Sequence, residues 1–239
     1  MDRLAIFVAE KLGLITMVAC NLRFHPGLQK IKEWLTAQRI GEIYTARAEF
    51  GFDLLKWRPG QDYRKNYAAS AALGGGVILD AIHEMDYLYW FFGKALEISA
   101  FAGKVSDLEL DAEDVAKIFV KFESAPFVDI HLDYLNPKYT RNLEIIGRKG
   151  TLTWDWQQGA LLFDQNGKLT ERFEAANNLD WNAMHLEELR YFLNCVAEKK
   201  QTLCPLAAGG EILEMALAAK ESSATHQTIY LGKRGMVQS

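Results

Sequence analysis

The densest set of residues able to move protons lies in Leu73-Gly74-Gly75-Gly76-Val77-Ile78-Leu79-Asp80-Ala81-Ile82-His83-Glu84-Met85-Asp86. A histidine titrates near neutrality and suits general acid–base work, and a neighbouring carboxylate can orient its ring or hold a hydroxyl. The glycines let the backbone turn sharply or approach another group closely. After them the apolar spacing predicts a helix running to about Phe92 and stopped by Gly93. Positions three and four apart share a helix face, so Asp80, His83, Glu84 and Tyr87 should form one polar sector opposite Ile78, Ile82, Met85, Tyr89 and Phe92. His83 and Asp80 are the candidate catalytic residues. Glu84 and Asp86 could orient His83 or hold substrate hydroxyls; the alternative is that they serve the helix dipole.

A second group precedes the glycines. Arg58, Asp62, Tyr63, Arg64 and Tyr67 form a basic, aromatic loop. Guanidinium groups suit a carboxylate or phosphate, although ordinary surface Arg–Asp pairs explain the same residues. No metal site is expected. His83-x-x-Asp86 lacks further ligands where zinc wants three or four, and Asp129, His131 and Asp133, facing Lys117 and Lys121, read as a polar sheet face.

Composition narrows the classes. The 239 residues carry a net charge of −4, which favours neither nucleic acid nor an anionic membrane. No stretch has the length of a membrane span. Cys20, Cys195 and Cys204 lack metal-type spacing and cannot all pair, which fits a reducing cytoplasm.

The elements that must position these groups are legible as periodicities. Residues 1–13 read as the end of an amphipathic helix, 14–20 as a buried strand, and 26–38 as a helix opened by Pro26. Residues 43–52 alternate, with Tyr44, Ala46, Ala48, Phe50 and Phe52 on one face. Strands are predicted near 96–104, 114–123, 126–135, 140–147, 150–155, 160–164 and 168–173, separated by turn residues that favour antiparallel neighbours. Helices at about 181–199, with Asp180 as N-cap, and 208–226 close the chain. The order gives an α+β fold: a large open, mostly antiparallel sheet with helices packed on one face.

Four stretches resemble the C-terminal part of the Gfo/Idh/MocA family of NAD(P)-dependent oxidoreductases. They are Val18-Ala19-Cys20-Asn21-Leu22-Arg23-Phe24-His25-Pro26; Ile40-Gly41-Glu42-Ile43; Asp62-Tyr63-Arg64 with the glycines and His83-Glu84-Met85-Asp86; and Ile146-Gly147-Arg148-Lys149-Gly150-Thr151-Leu152. The resemblance implies that residues 1–24 are the remnant helix and strand of a Rossmann domain, and that 25–239 form the substrate and oligomerisation domain. It implies His83 near the substrate hydroxyl, Arg58, Asp62, Tyr63, Arg64, Glu84 and Asp86 around a sugar-like or nucleotide-sugar-like molecule, and NAD or NADP as cofactor. Arg23 matches a family turn and is expected to buttress it.

Two departures qualify this. No G-x-G-x-x-G opens a helix, and Glu10-Lys11-Leu12 only echoes the family's Glu-Lys-Pro, so Lys11 is read as an exposed residue near a helix end. The acid precedes the histidine by three positions, at Asp80, where many members have four. The expectation is therefore a truncated member, catalytic only if a separate chain supplies the nucleotide-binding domain, and homodimeric or larger through the open sheet face. A sugar-binding or protein-interaction module without catalysis is the alternative.

Overall fold

Alternation of apolar and polar residues builds the sheet on which the site stands. The computed structural model describes residues 3–174 and 181–232. Strands β1 (Ile43–Gly51), β2 (Ala95–Gly103), β3 (Val115–Phe122), β4 (Val128–Asp133), β5 (Thr140–Gly147), β6 (Gly150–Asp155), β7 (Gly159–Asp164), β8 (Leu169–Glu174) and β9 (Ile229–Tyr230) form one nine-stranded sheet. Its order is β8-β7-β6-β5-β1-β4-β3-β2-β9. Only β1 and β4 run parallel; the other neighbours are antiparallel. Register aligns the buried faces: Leu162, Leu152, Ile145, Ala46, Val128, Val120 and Ile98 face one another in turn across the sheet. Arg47, Glu49, Phe101, Lys117, Phe119 and His131 occupy the opposite parity, on the open face.

Helices α1 (Arg3–Lys11), α2 (Pro26–Thr36), α3 (Val77–Asp80), α4 (His83–Phe92), α5 (Trp181–Glu198) and α6 (Leu206–Thr225) follow. The buried alanines 216, 218 and 219 let α6 lie close to β2. There Ser222 Oγ accepts from Ala100 N at 2.9 Å and Ser223 Oγ from Ala102 N at 2.8 Å. These hydroxyls satisfy the β2 edge beyond the short β9, where open amides would invite another chain. Helix α2 is started by Pro26 and by His25, whose Nδ1 accepts from Gly27 N at 3.1 Å.

The antiparallel sheet and its helices agree with the sequence expectation; several details do not. Residues 14–20 form no strand. They run half-buried beside residues 202–206, tied by Val18 N to Cys204 O (2.8 Å), Thr202 Oγ1 to Thr16 O (2.6 Å) and Leu206 N to Thr16 Oγ1 (3.0 Å). These scattered bonds go to a loop rather than to a strand in register, so the apolar run has no ladder to join. Tyr44 turns outward, 47% exposed, because a bulge between Ile43 and Thr45 breaks the alternation. Asp180 lies outside the described residues. No described helix is long and apolar enough to cross a membrane.

The expected single helix after the glycines is two. Helix α3 ends at Asp80, Ala81 leaves helical geometry at φ −96°, ψ 35°, and α4 begins at His83. The break sends Asp80, His83 and Glu84 toward different neighbours, so the single polar sector expected for them does not form.

Candidate active site

The glycine turn shows why these residues fold as they do. Gly74 and Gly76 have φ of +81° and +102°, conformations that side chains disfavour. A Cβ on Gly75 would lie 2.2 Å from the Tyr67 carbonyl, and one on Gly76 would lie 2.4 Å from Glu113 Oε1. The turn therefore presses the 67–70 loop against the start of α3, with Gly75 N donating to Ser70 O and Gly76 N to Ala68 O.

Asp80 sits at the end of α3 between two tyrosines. Its Oδ1 accepts from the Tyr67 hydroxyl and its Oδ2 from the Tyr134 hydroxyl at 3.0 Å. Burial raises the Asp80 carboxyl above its usual range, against the two phenols, which favour its charged form. Burial likewise pushes Tyr67 up to about 12. Arg58 lies over the Tyr67 ring, 5.8 Å from its centroid. This continues the line of polar groups into a groove of about 460 Å3 lined by Arg58, Gln61, Asp62, Lys65, Asn66 and Tyr67.

His83 opens α4. Its side chain is half-buried, and its Nδ1 is shielded without a hydrogen-bond partner among the described residues. Burial, reinforced by the positive charge of Arg141 and by His185, pushes it down to about 3. The imidazole is therefore neutral near pH 7. His185 belongs to α5, one turn after Trp181, which stacks on Trp156 at 4.3 Å between centroids.

Glu84 and Asp86, expected to orient His83 or hold hydroxyls, turn into the core, where they are 0% and 1% exposed. Glu84 meets Arg141 of β5, with Nε to Oε1 at 2.8 Å and Nη2 to Oε2 at 3.3 Å. Burial raises Glu84 to about 7 despite that partner. Asp86 takes Arg23, with Nη2 to Oδ1 at 2.7 Å and Nε to Oδ2 at 3.2 Å. Arg23 also donates to the Leu203 carbonyl, the backbone buttress expected of it. A buried carboxylate needs such a counter-charge, so both acids anchor α4 to its surroundings.

The loop candidates divide. Arg64 is held by Asp62 (Nε to Oδ1 2.8 Å, Nη2 to Oδ2 3.0 Å) and Glu109 (3.2 Å), all on the surface. The Tyr63 hydroxyl accepts from Glu109 N at 2.8 Å. Arg58 has the Tyr67 ring beside it and faces the groove. Sequence reasoning missed Arg141 and Tyr134. Arg141 carried a readable signal: it shares the parity of Leu143 and Ile145 on β5, so a charge had to point inward.

These features sit on a known framework. The family model of the GFO/IDH/MocA C-terminal domain matches residues 28–153. The chain is 26% identical over 227 residues to trans-1,2-dihydrobenzene-1,2-diol dehydrogenase of Mus musculus, covering 88% of this chain and 63% of that protein. Its fold resembles an oxidoreductase from Agrobacterium radiobacter in complex with NAD+, L-tartaric acid and magnesium. That likeness has a TM-score of 0.78 at 20% identity and covers 97% of this chain and 69% of that one. It also resembles levoglucosan dehydrogenase in complex with NADH and L-sorbose, with a TM-score of 0.79 at 16% identity, covering 92% of this chain and 66% of the other. The chain belongs to the Gfo/Idh/MocA family of oxidoreductases, over its C-terminal domain. It spans somewhat less than two thirds of the curated relative it matches.

The glycine turn does not fit a nicotinamide dinucleotide. The amides that could cradle a pyrophosphate are engaged by Ser70 O, Ala68 O and Glu113, the last taking both Val77 N and Ile78 N. Among the described residues, then, this loop supplies no phosphate site of the kind a free helix N-terminus offers.

Proposed function

We propose that this chain is the substrate half of an NAD(P)-dependent oxidoreductase acting on the CH–OH group of a small polyol, sugar or cyclic diol. His83 receives the hydroxyl proton at its imidazole, and Asp80, fixed by Tyr67 and Tyr134, orients a neighbouring hydroxyl. Arg58, with Asp62, Tyr63 and Arg64 shaping its loop, lines the approach. Glu84 and Asp86 position α4 through Arg141 and Arg23. NAD or NADP would be held by a nucleotide-binding domain outside the described residues. The ligands of the relatives, tartrate and sorbose among them, support a hydroxylated substrate.

The observation that carries this reading is the neutral, half-buried His83, three positions after the Asp80 that Tyr67 and Tyr134 hold. Calorimetric titration of the chain with L-sorbose, levoglucosan and a cyclic diol tests it. Binding that His83→Ala weakens about tenfold or more is expected, since a lost hydrogen bond to a ligand costs on the order of 1.5 kcal/mol. Equal affinity in the variant contradicts it.

A homodimer or larger oligomer through the open sheet face is part of the proposal, supported by Phe101, Phe119 and Phe127, each more than half exposed. The second reading, a non-catalytic sugar-binding or interaction module, is favoured by the engaged amides of the glycine turn. Saturable binding of NADH to this chain alone would contradict the division of labour between two domains.

A further inference from the structure

Three buried thiols divide unequally. Cys195 Sγ faces the Gln201 carbonyl at 4.0 Å, whereas Cys20 Sγ donates to Cys204 Sγ at 3.8 Å across 184 positions of sequence. The main chains around them run side by side, joined by Val18 N to Cys204 O at 2.8 Å. Two sulfurs already in contact on adjacent, hydrogen-bonded backbones need only small side-chain rotations to reach a disulfide bond of about 2.05 Å. We propose that Cys20 and Cys204 are a peroxide-oxidisable dithiol, whose disulfide ties residues 14–20 to the start of α6.

The surroundings divide the roles. Cys204 lies below the usual thiol range, held there by the Cys20 S–H that donates to it and by the Arg23 guanidinium. Cys20 is raised, by that same donation and by burial. Cys204 is thus the better thiolate and nucleophile, and Cys20 the resolving thiol. The Cys204 thiolate attacks one peroxide oxygen, the O–O bond breaks, and hydroxide leaves to combine with the proton Cys204 had released. Cys20 sulfur then attacks the sulfenic acid on Cys204, expelling its hydroxyl as water with the Cys20 proton. Two thiols lose two electrons, and one peroxide becomes two waters.

Asp86 has a carboxylate oxygen within 4.8 Å of both sulfurs, so a thiophilic metal is the competing occupant. Both Asp86 oxygens already accept from Arg23, whose positive charge opposes a cation there. Those bonds favour the dithiol.

Intact-mass and peptide-mapping measurements on the full chain, before and after hydrogen peroxide, decide between them. The wild-type chain should lose two hydrogen masses, show a Cys20–Cys204 crosslinked peptide, and recover fully with dithiothreitol. Cys195→Ser should behave identically, while Cys20→Ser should stop at sulfenic acid on Cys204. The oxidised chain should melt roughly 5 °C or more above the reduced one, because the closed loop is long. Peroxide leaving both thiols alkylatable after unfolding, a crosslink through Cys195, or zinc retained in the native mass spectrum would overturn the proposal. Mapping the wild-type chain keeps the test valid even if Cys20→Ser fails to fold.

Discussion

Arg141 reaches from the centre of the sheet to clasp Glu84 on α4, with Nε 2.8 Å from Oε1 and both side chains removed from solvent. The guanidinium also lies over the Phe50 ring, 4.5 Å from its centroid. One arginine thus fixes the register of the helix that opens with His83 and contributes the positive charge that keeps His83 neutral.

Removing one partner of that pair should be worse than removing both. Arg141→Met leaves Glu84 buried without its counter-charge and should cost about 3–5 kcal/mol. Adding Glu84→Gln should recover part of the loss. Urea unfolding of the two single variants and the double variant measures the coupling; additive effects would show that the pair contributes nothing jointly.

Glycine substitutions should separate strain from collision. Gly74→Ala meets open space and pays only for its positive φ, about 1–2 kcal/mol. Gly75→Ala drives a methyl into the Tyr67 carbonyl and should cost about 3 kcal/mol or more, with loss of the Tyr67–Asp80 contact. Thermal midpoints and tyrosine fluorescence of both variants check this.

Stability should fall on acidification. His25 and His83 are lowered to about 4 and about 3 from 6.5, mainly by burial. Below pH 6.5 the unfolded chain therefore binds protons that the folded chain refuses, and stability drops as pH falls toward 4. For the fully buried His25 alone the loss reaches about 3 kcal/mol by pH 4. Glu84, raised to about 7 from 4.5, works in the opposite sense, being most favourable below pH 4.5 and least above 7. Unfolding curves at pH 7, 5.5 and 4.5 should show a net decline that His25→Asn lessens.

The open sheet face should govern assembly. Phe119 and Phe127 are 57% and 73% exposed on that face and its margin. A double change to Phe119→Glu and Phe127→Lys should convert oligomer to monomer in light scattering while leaving the circular dichroism spectrum intact. An unchanged mass would place the interface elsewhere.

Period-two alternation made the sheet legible, and its turn residues gave the antiparallel neighbours. The parallel contact of β1 with β4 was not legible, because strand order depends on which distant faces fit together. The apolar run 14–20 looked like a strand, yet hydropathy cannot show that its neighbour is the 202–206 loop. At the candidate site, His83 and Asp80 were singled out by residue type and the family resemblance. The break at Ala81 left no mark in the apolar spacing. The fates of Glu84 and Asp86 were hidden for the same reason: their partners Arg141 and Arg23 lie 57 and 63 positions away. Only the parity of Arg141 along β5 hinted at a buried charge needing an acid.

The central claim is that His83 is a neutral, substrate-facing base. Nitrogen-15 NMR of the imidazole side chains, with the five histidines assigned by single His→Gln variants, tests it most directly. At pH 6 the His83 ring should be neutral, and saturation with a cyclic diol or sugar should move its ring nitrogen resonances while leaving His226 unchanged. A His83 ring protonated at pH 6, or one whose resonances stay fixed while such a ligand binds, would contradict the account.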